Sequence, residues 1–232
     1  MPPPGARASD TGVVDECCAP RTPDGYEREF DARFASNLAR RYRRKGPTPT
    51  AQRILDFAAS HGLEGASVLE VGGGIGEIQL ELLKRGAART TNLELSGAYE
   101  TEAARLIDEA RLGGRVTRMV GVDLAVSPDD VVEPADIVVL NRVVCCYPDY
   151  ERLLGAAARH ARHAVIFSHP PRTAFTRVAL WLDNLAYRLT RRTYRGFVHP
   201  PDAMVGVLAR NGIDVRYRHR GRVWCVVGAV RA

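Results

Sequence analysis

The sequence predicts an α/β protein with a Rossmann-like, open and mostly parallel sheet that ends in a C-terminal antiparallel hairpin. Three observations predict it. Strand-like apolar runs alternate with helical periodicity from residue 66 onward. The first of these runs passes through an acidic residue and a glycine-rich turn into a helix. The last two runs are separated only by a short polar turn. Strands joined through helices form parallel βαβ units, whereas strands joined by a tight turn pair antiparallel. A chain of 232 residues, 45% hydrophobic and 26% charged, suits one such domain with extensions.

The elements follow in order. Residues 1–24 are rich in proline, glycine and small residues and carry no apolar period, so they are expected to be a disordered tail. A helix is expected over about 25–45, because Tyr26, Phe30, Phe34 and Leu38 recur every fourth residue; Gly46 and Pro47 stop it. Residues 25–47 are therefore read as an N-terminal lid helix. Residues 48–232 form the main domain. Thr48 is a suitable N-cap and Pro49 fits the first turn of the next helix.

Strands are expected at 67–71, 90–93, 116–120, 136–140 and 164–168, with helices at about 76–85, after Ser96 and at 149–161. Ser127-Pro128-Asp129-Asp130 is expected to open a short helix through a capping box. Residues 171–200 interrupt the alternation as a helical insertion, with Phe175, Val178, Leu182, Leu185 and Leu189 at helical spacing. A helix at about 200–210 and strands at about 213–218 and 223–230 complete the domain.

Composition narrows the function classes. No apolar run reaches the roughly 18–20 residues needed to span a bilayer, and the first residues lack the apolar core of a secretory signal. A cytoplasmic location is the expectation. Five cysteines, with Cys17-Cys18 and Cys145-Cys146 adjacent, do not form a secreted disulfide framework. They also lack the C-x-x-C spacing common in zinc sites, so no metal is expected. The net charge of +6 includes clusters at Arg40–Lys45 and around Arg188–Arg195. Such clusters attract anions: nucleic acid, anionic lipid or an acidic small molecule.

The strongest motif is Val68-Leu-Glu70-Val-Gly72-Gly73-Gly74-Ile-Gly76-Glu77. Glycine suits a turn that needs positive φ and close approach of a ligand, and the following helix presents free N–H groups. A dinucleotide fingerprint requires a third glycine or alanine where this sequence has Glu77 or Gln79, and a P-loop requires Gly-Lys-Ser/Thr. Both fail.

The pattern E-x-G-x-G-x-G on Glu70, Gly72, Gly74 and Gly76 resembles the first motif of class I S-adenosylmethionine-dependent methyltransferases. Two further positions agree. The second strand runs into Glu94 and Leu95, where an acid can accept hydrogen bonds from ribose hydroxyls. The third runs into Asp123 and Leu124. There the resemblance implies a carboxylate for the adenine amino group and a backbone N–H for a ring nitrogen. S-adenosyl-L-methionine is the implied cofactor, held by Glu70, Gly72, Gly73, Gly74, Gly76, Glu94, Leu95, Asp123, Leu124 and Asn141. Glu70 orients the loop or meets the cofactor's ammonium group; both roles stay open.

Asn141–Asp149, with Phe197-Val-His-Pro-Pro201, looks like a bacterial group likened to magnesium-protoporphyrin O-methyltransferases. That likeness implies a carboxylate acceptor on a planar anionic small molecule. An ionised carboxylate needs no base, whereas a hydroxyl or amine acceptor must lose a proton. His169, His199 and Tyr147 are the candidate catalytic groups, and Arg142 and Arg172 the candidate clamps for an acidic substrate. The partner is thus a small-molecule acceptor. An RNA methyltransferase using Arg40–Lys45 and a non-catalytic adenosylmethionine-binding protein are the competing readings, and peripheral membrane contact through the inserted helix is a further one. The sequence does not specify an oligomeric state.

Overall fold

The computed structural model describes Tyr26 and residues 28–232; the expected tail and Cys17-Cys18 lie outside the described residues. The helices are α1 Ala32–Lys45, α2 Pro49–Ser60, α3 Glu77–Lys84, α4 Glu100–Ala110, α5 Tyr150–His160, α6 Ala174–Leu189 and α7 Pro201–Arg210. The strands are β1 Ser67–Val71, β2 Arg89–Glu94, β3 Val116–Val120, β4 Ala135–Leu140, β5 Ala161–His169, β6 Ile213–His219 and β7 Cys225–Arg231.

The seven strands make one sheet in the order β3-β2-β1-β4-β5-β7-β6. β1 to β5 are parallel, and β7 runs antiparallel to both β5 and β6. The chain leaves β1 toward β2 on one side and returns to β4 on the other. A ligand crevice is expected outside the carboxyl ends of strands at such a reversal.

Alternation along β4 divides the core. Val138 and Leu140 face the layer holding Leu153, Leu154, Met204 and Leu208 of α5 and α7. Ile137 and Val139 face Ile54, Leu55, Ile78 and Leu82 of α2 and α3. A strand covered on both faces has no use for polar residues, which explains its continuous apolar run. A third cluster packs Ala35, Ala39 and Tyr42 of α1 on Ile75, Leu80, Tyr99, Leu106 and Ile107.

Two expectations change. The single helix over 25–45 is interrupted: Phe30 is a bend, and α1 begins afresh at Ala32. Asp31 is the reason, since its carboxylate accepts from the Phe34 N–H at 2.8 Å and thereby caps a new helix. No helix forms after Ser127 among the described residues. Only five residues separate Pro128 from Pro134, and the residue before a proline disfavours helical backbone. The Asp123 carboxylate caps the local turn instead, accepting from the Ala125 N–H at 2.9 Å.

The inserted helix α6 exists as expected, with Thr173 as its N-cap, but none of its residues is buried. It is attached by its polar side. Asn184 and Gly196 exchange two hydrogen bonds of 2.9 Å, and the Tyr187 hydroxyl donates to Glu29 at 2.8 Å. The apolar stripe faces outward and covers no part of the sheet rim.

Candidate cofactor and acceptor site

The crevice at the reversal is a pocket, and the glycine loop forms its floor. Gly72, Gly74 and Gly76 all adopt positive φ, at 62°, 55° and 79°. These are the three spaced glycines of the motif, so backbone handedness explains them. Gly73 has a different reason. A Cβ there would collide with the Asn92 amide and lie 2.6 Å from the Glu70 carboxyl carbon.

Glu70 is buried beneath this loop. Its carboxylate accepts from the Gln79 N–H at 3.2 Å, in the first turn of α3, and from the Asn92 amide at 3.1 Å. Burial pushes its pKa up to about 8, with the Arg118 guanidinium opposing that rise most strongly. Glu70 thus ties β1, β2 and α3 together under the loop. Glu94 is also buried, at 8% exposure. Its two oxygens accept from Gly74 N–H at 2.8 Å and Ser96 N–H at 3.0 Å. Burial raises its pKa, and these backbone donors counter the rise.

From the far side, Arg118 donates to the Gly74 carbonyl at 2.8 Å and pairs with Glu100 at 2.7 Å. Sequence reasoning missed Arg118, because a lone arginine in a strand carries no motif. It also missed Tyr99, whose ring would lie 3.3 Å from a Cβ on Gly74.

The other wall comes from the ends of β3 and β4. Asp123 Oδ2 accepts the Tyr147 hydroxyl at 3.0 Å. Burial first, and then the Asp123 charge, hold the Tyr147 phenol well above its ordinary range. Tyr147 is therefore kept neutral as a donor to Asp123. Asn141 accepts from the Ser168 hydroxyl at 2.9 Å, and that hydroxyl in turn accepts from the Arg142 N–H at 2.8 Å. Arg142 holds a left-handed backbone at φ 62°, a conformation that costs a non-glycine residue energy and collects at functional sites. Its guanidinium lies over the Trp224 ring at 5.0 Å from the centroid.

Of the ten expected cofactor residues, Gly76 alone does not line the pocket; it caps α3 from just behind. Arg142 and Tyr147 line it too, as do Tyr26, Phe30, Phe34 and Leu38. His169, His199 and Arg172 do not. His169 is buried, with Nδ1 2.9 Å from the Pro170 carbonyl, and His199 Nε2 is 2.9 Å from the Tyr147 carbonyl. Burial holds both imidazoles below their ordinary pKa. Arg172 is exposed. The strand-end reasoning placed these residues on the right edge of the sheet, but the two histidines turn into rim packing and Arg172 faces outward.

The residues present fit a cationic, nucleoside-bearing ligand. Glu70, Glu77, Glu94 and Asp123 all contribute to the wall, with Tyr99 and Phe30 beside them. Among the described residues no group of three histidine, cysteine or acidic side chains could hold a metal ion. Cys145 and Cys225 are free thiols, and the Cys146 sulfur lies 2.9 Å from the Tyr194 hydroxyl.

Comparisons with known proteins agree with this architecture. A family described as a methyltransferase domain matches residues 38–217. No curated protein matches the chain by sequence. Among solved structures, magnesium protoporphyrin IX methyltransferase from Synechocystis PCC 6803, with bound SAH, is 20% identical. The match covers 90% of this chain and 94% of that one, with a TM-score of 0.65. An O-methyltransferase family protein from Burkholderia thailandensis is 19% identical over 89% of this chain and 63% of that one, with a TM-score of 0.66. An O-methyltransferase family 2 protein from Planctomyces limnophilus DSM 3776, in complex with apigenin, is 18% identical. Coverage is 92% and 63%, and the TM-score is 0.65.

Proposed function

Because the chain belongs to the methyltransferase domain family, we propose that it transfers a methyl group from S-adenosylmethionine to an anionic small molecule. The observation that carries this reading is the convergence of Glu70, Glu94 and Asp123 on one glycine-loop pocket. When bound, the cofactor supplies an electrophilic methyl group on a sulfonium centre. Glu94 would accept hydrogen bonds from the ribose and Asp123 from the adenine amino group, while the Leu124 N–H would donate to a ring nitrogen. Glu70 keeps the loop shaped from below through its contacts with Gln79 and Asn92.

Methyl transfer is an in-line displacement, so alignment supplies much of the rate. Arg142 is the arginine that lines the pocket. It is braced on Trp224 and set by the Ser168–Asn141 pair, so it is placed to orient an acceptor carboxylate. A carboxylate acceptor needs no base. That agrees with a site in which Tyr147 is occupied as a donor and both candidate histidines sit in the rim. Tyr147 then positions Asp123. The ring cluster of Tyr26, Phe30 and Phe34 acts as the lid that excludes water.

The RNA reading draws less support from the basic run. Arg43 pairs with Glu102 and Glu109, and Arg41 with Glu77. Two members of the basic run are therefore engaged internally. Titration calorimetry with adenosylmethionine, adenosylhomocysteine and NAD tests the cofactor assignment; NAD binding without adenosylmethionine binding would overturn it. A turnover screen across porphyrin carboxylates, phenols, amines and RNA tests the acceptor class.

A further inference from the structure

α6 is turned inside out relative to an ordinary surface helix. Successive residues of a helix advance by 100°, so Phe175, Val178, Trp181, Leu182, Leu185 and Leu189 share one face. All six are exposed, Phe175 at 82% and Trp181 at 62%. The opposite face, with Asn184 and Tyr187, makes the polar attachments to Gly196 and Glu29. A contiguous apolar stripe of this kind marks an interaction surface.

Charge selects its occupant. Residues 171–200 hold six arginines and a single acid, Asp183. Arg177 and Arg188 border the stripe on one edge, and Arg172 and Arg191 lie at its two ends. All four are exposed, and among the described residues no carboxylate bridges them. The register of β5 on β7 pairs His169 with Cys225. It therefore brings the 220–224 turn to the same edge of the sheet as the start of the insertion. That turn adds exposed Arg220, Arg222 and Val223, the last at 69% exposure.

We propose that α6 and this turn seat the protein on an anionic lipid surface. The apolar stripe enters the acyl boundary, the Trp181 and Phe175 rings sit at headgroup depth, and the arginines meet lipid phosphates. A second copy is the poorer occupant, because pairing two such faces antiparallel would set both arginine edges side by side with only Asp183 to offset them. A nucleic acid would leave the aliphatic stripe in water. Anchored in this way, α6 would act on the pocket roof through Glu29, which lies between Tyr26 and Phe30 in sequence and binds both Tyr187 and Arg192.

The test uses the full chain and sedimentation with extruded vesicles of phosphatidylcholine, with or without one-third phosphatidylglycerol. The protein should pellet with the anionic vesicles and much less with the neutral ones. Tryptophan emission should shift to the blue, and Trp181→Phe should remove that shift. Leu182→Glu with Leu185→Glu should abolish pelleting while the cofactor titration and the melting temperature stay unchanged. Arg177→Gln and Arg188→Gln should each weaken binding about fivefold. No pelleting, equal pelleting with both vesicles, or pelleting that survives the paired glutamates would overturn the proposal. So would a dimer, seen by analytical ultracentrifugation, that the paired glutamates dissolve.

Discussion

The two helices outside the parallel core, α1 and α6, carry similar amphipathic patterns and meet opposite ends. α1 buries Ala35, Ala39 and Tyr42 on the α4 side of the domain, and the Tyr42 hydroxyl donates to Glu81 at 2.6 Å. α6 buries nothing. Small residues make the difference. Alanines at 35 and 39 let the α1 backbone approach its neighbours closely, so its larger Phe34 and Leu38 are left for the pocket wall. α6 buries no residue; its inner side rests on Gly196 through Leu180 and on Tyr194 through Tyr187, with polar tethers beside them. An apolar stripe therefore shows that a helix needs a partner, and the small residues beside the stripe decide whether that partner is the protein's own core.

The largest effect that would break this comparison comes from truncation. Removing residues 1–45 should expose the third core cluster and cost several kcal/mol, since large core deletions cost about 2–5 kcal/mol each. In a chain of this size each kcal/mol lowers the melting temperature by about 2–4 °C, which calorimetry would read. Removing only residues 1–30 keeps the Asp31 cap and α1. That shorter deletion should leave the fold intact, while turnover falls through loss of the Tyr26 and Phe30 lid. Unchanged turnover after the shorter deletion would refute the lid.

Point substitutions sharpen the contrast. Ala39→Glu should destabilise strongly because it buries an unpaired charge, while Leu182→Glu in α6 should change stability by no more than about 0.5 kcal/mol. Equal destabilisation would show that α6 is held as firmly as α1.

At the site, Glu94→Ala removes a carboxylate whose charge-assisted hydrogen bonds contribute about 1.5–3 kcal/mol each. The adenosylmethionine dissociation constant should rise by about tenfold or more. Because Glu94 also holds the Gly74 and Ser96 amides, a smaller loss of stability should accompany it. Full cofactor affinity in a folded variant would remove Glu94 from the ribose contact.

The last effect is a pH dependence. Glu70 has a folded pKa of about 8, above its ordinary value of 4.5. A raised pKa means that the folded state holds the proton more tightly. The stability this contributes is complete below about pH 4.5 and is lost as pH rises through about 8. Glu70→Gln should flatten that part of the stability profile in chemical denaturation across this range, and an unchanged slope would assign it to another group.

Legibility tracked the range of the forces involved. β4 was the most visible strand because it is buried on both faces and so is almost wholly apolar; the hairpin showed in the short turn before β7. The glycine motif was visible because left-handed φ at 72, 74 and 76 admits few other residues. The false helix after Ser127 came from reading a capping box without weighing Pro134, and the unbroken helix over 25–45 from following Tyr26, Phe30, Phe34 and Leu38 past the Asp31 cap. Arg118 and Tyr99 left no local mark, since Arg118 reaches the loop from β3 and Tyr99 from the turn after β2.

The sequence by itself determined what is encoded locally: strand and helix periods, caps, the glycine turn, and the acids at the ends of β1, β2 and β3. Tertiary structure alone decided which of the residues crowded at the sheet rim face the pocket. Strand-end position brings a residue to that edge, but the direction of its side chain depends on neighbours distant in sequence. Tyr147 is claimed by Asp123, His199 by the Tyr147 carbonyl and His169 by the Pro170 carbonyl. The same physics turned the apolar face of α6 outward, because the contacts that hold it come from its other side.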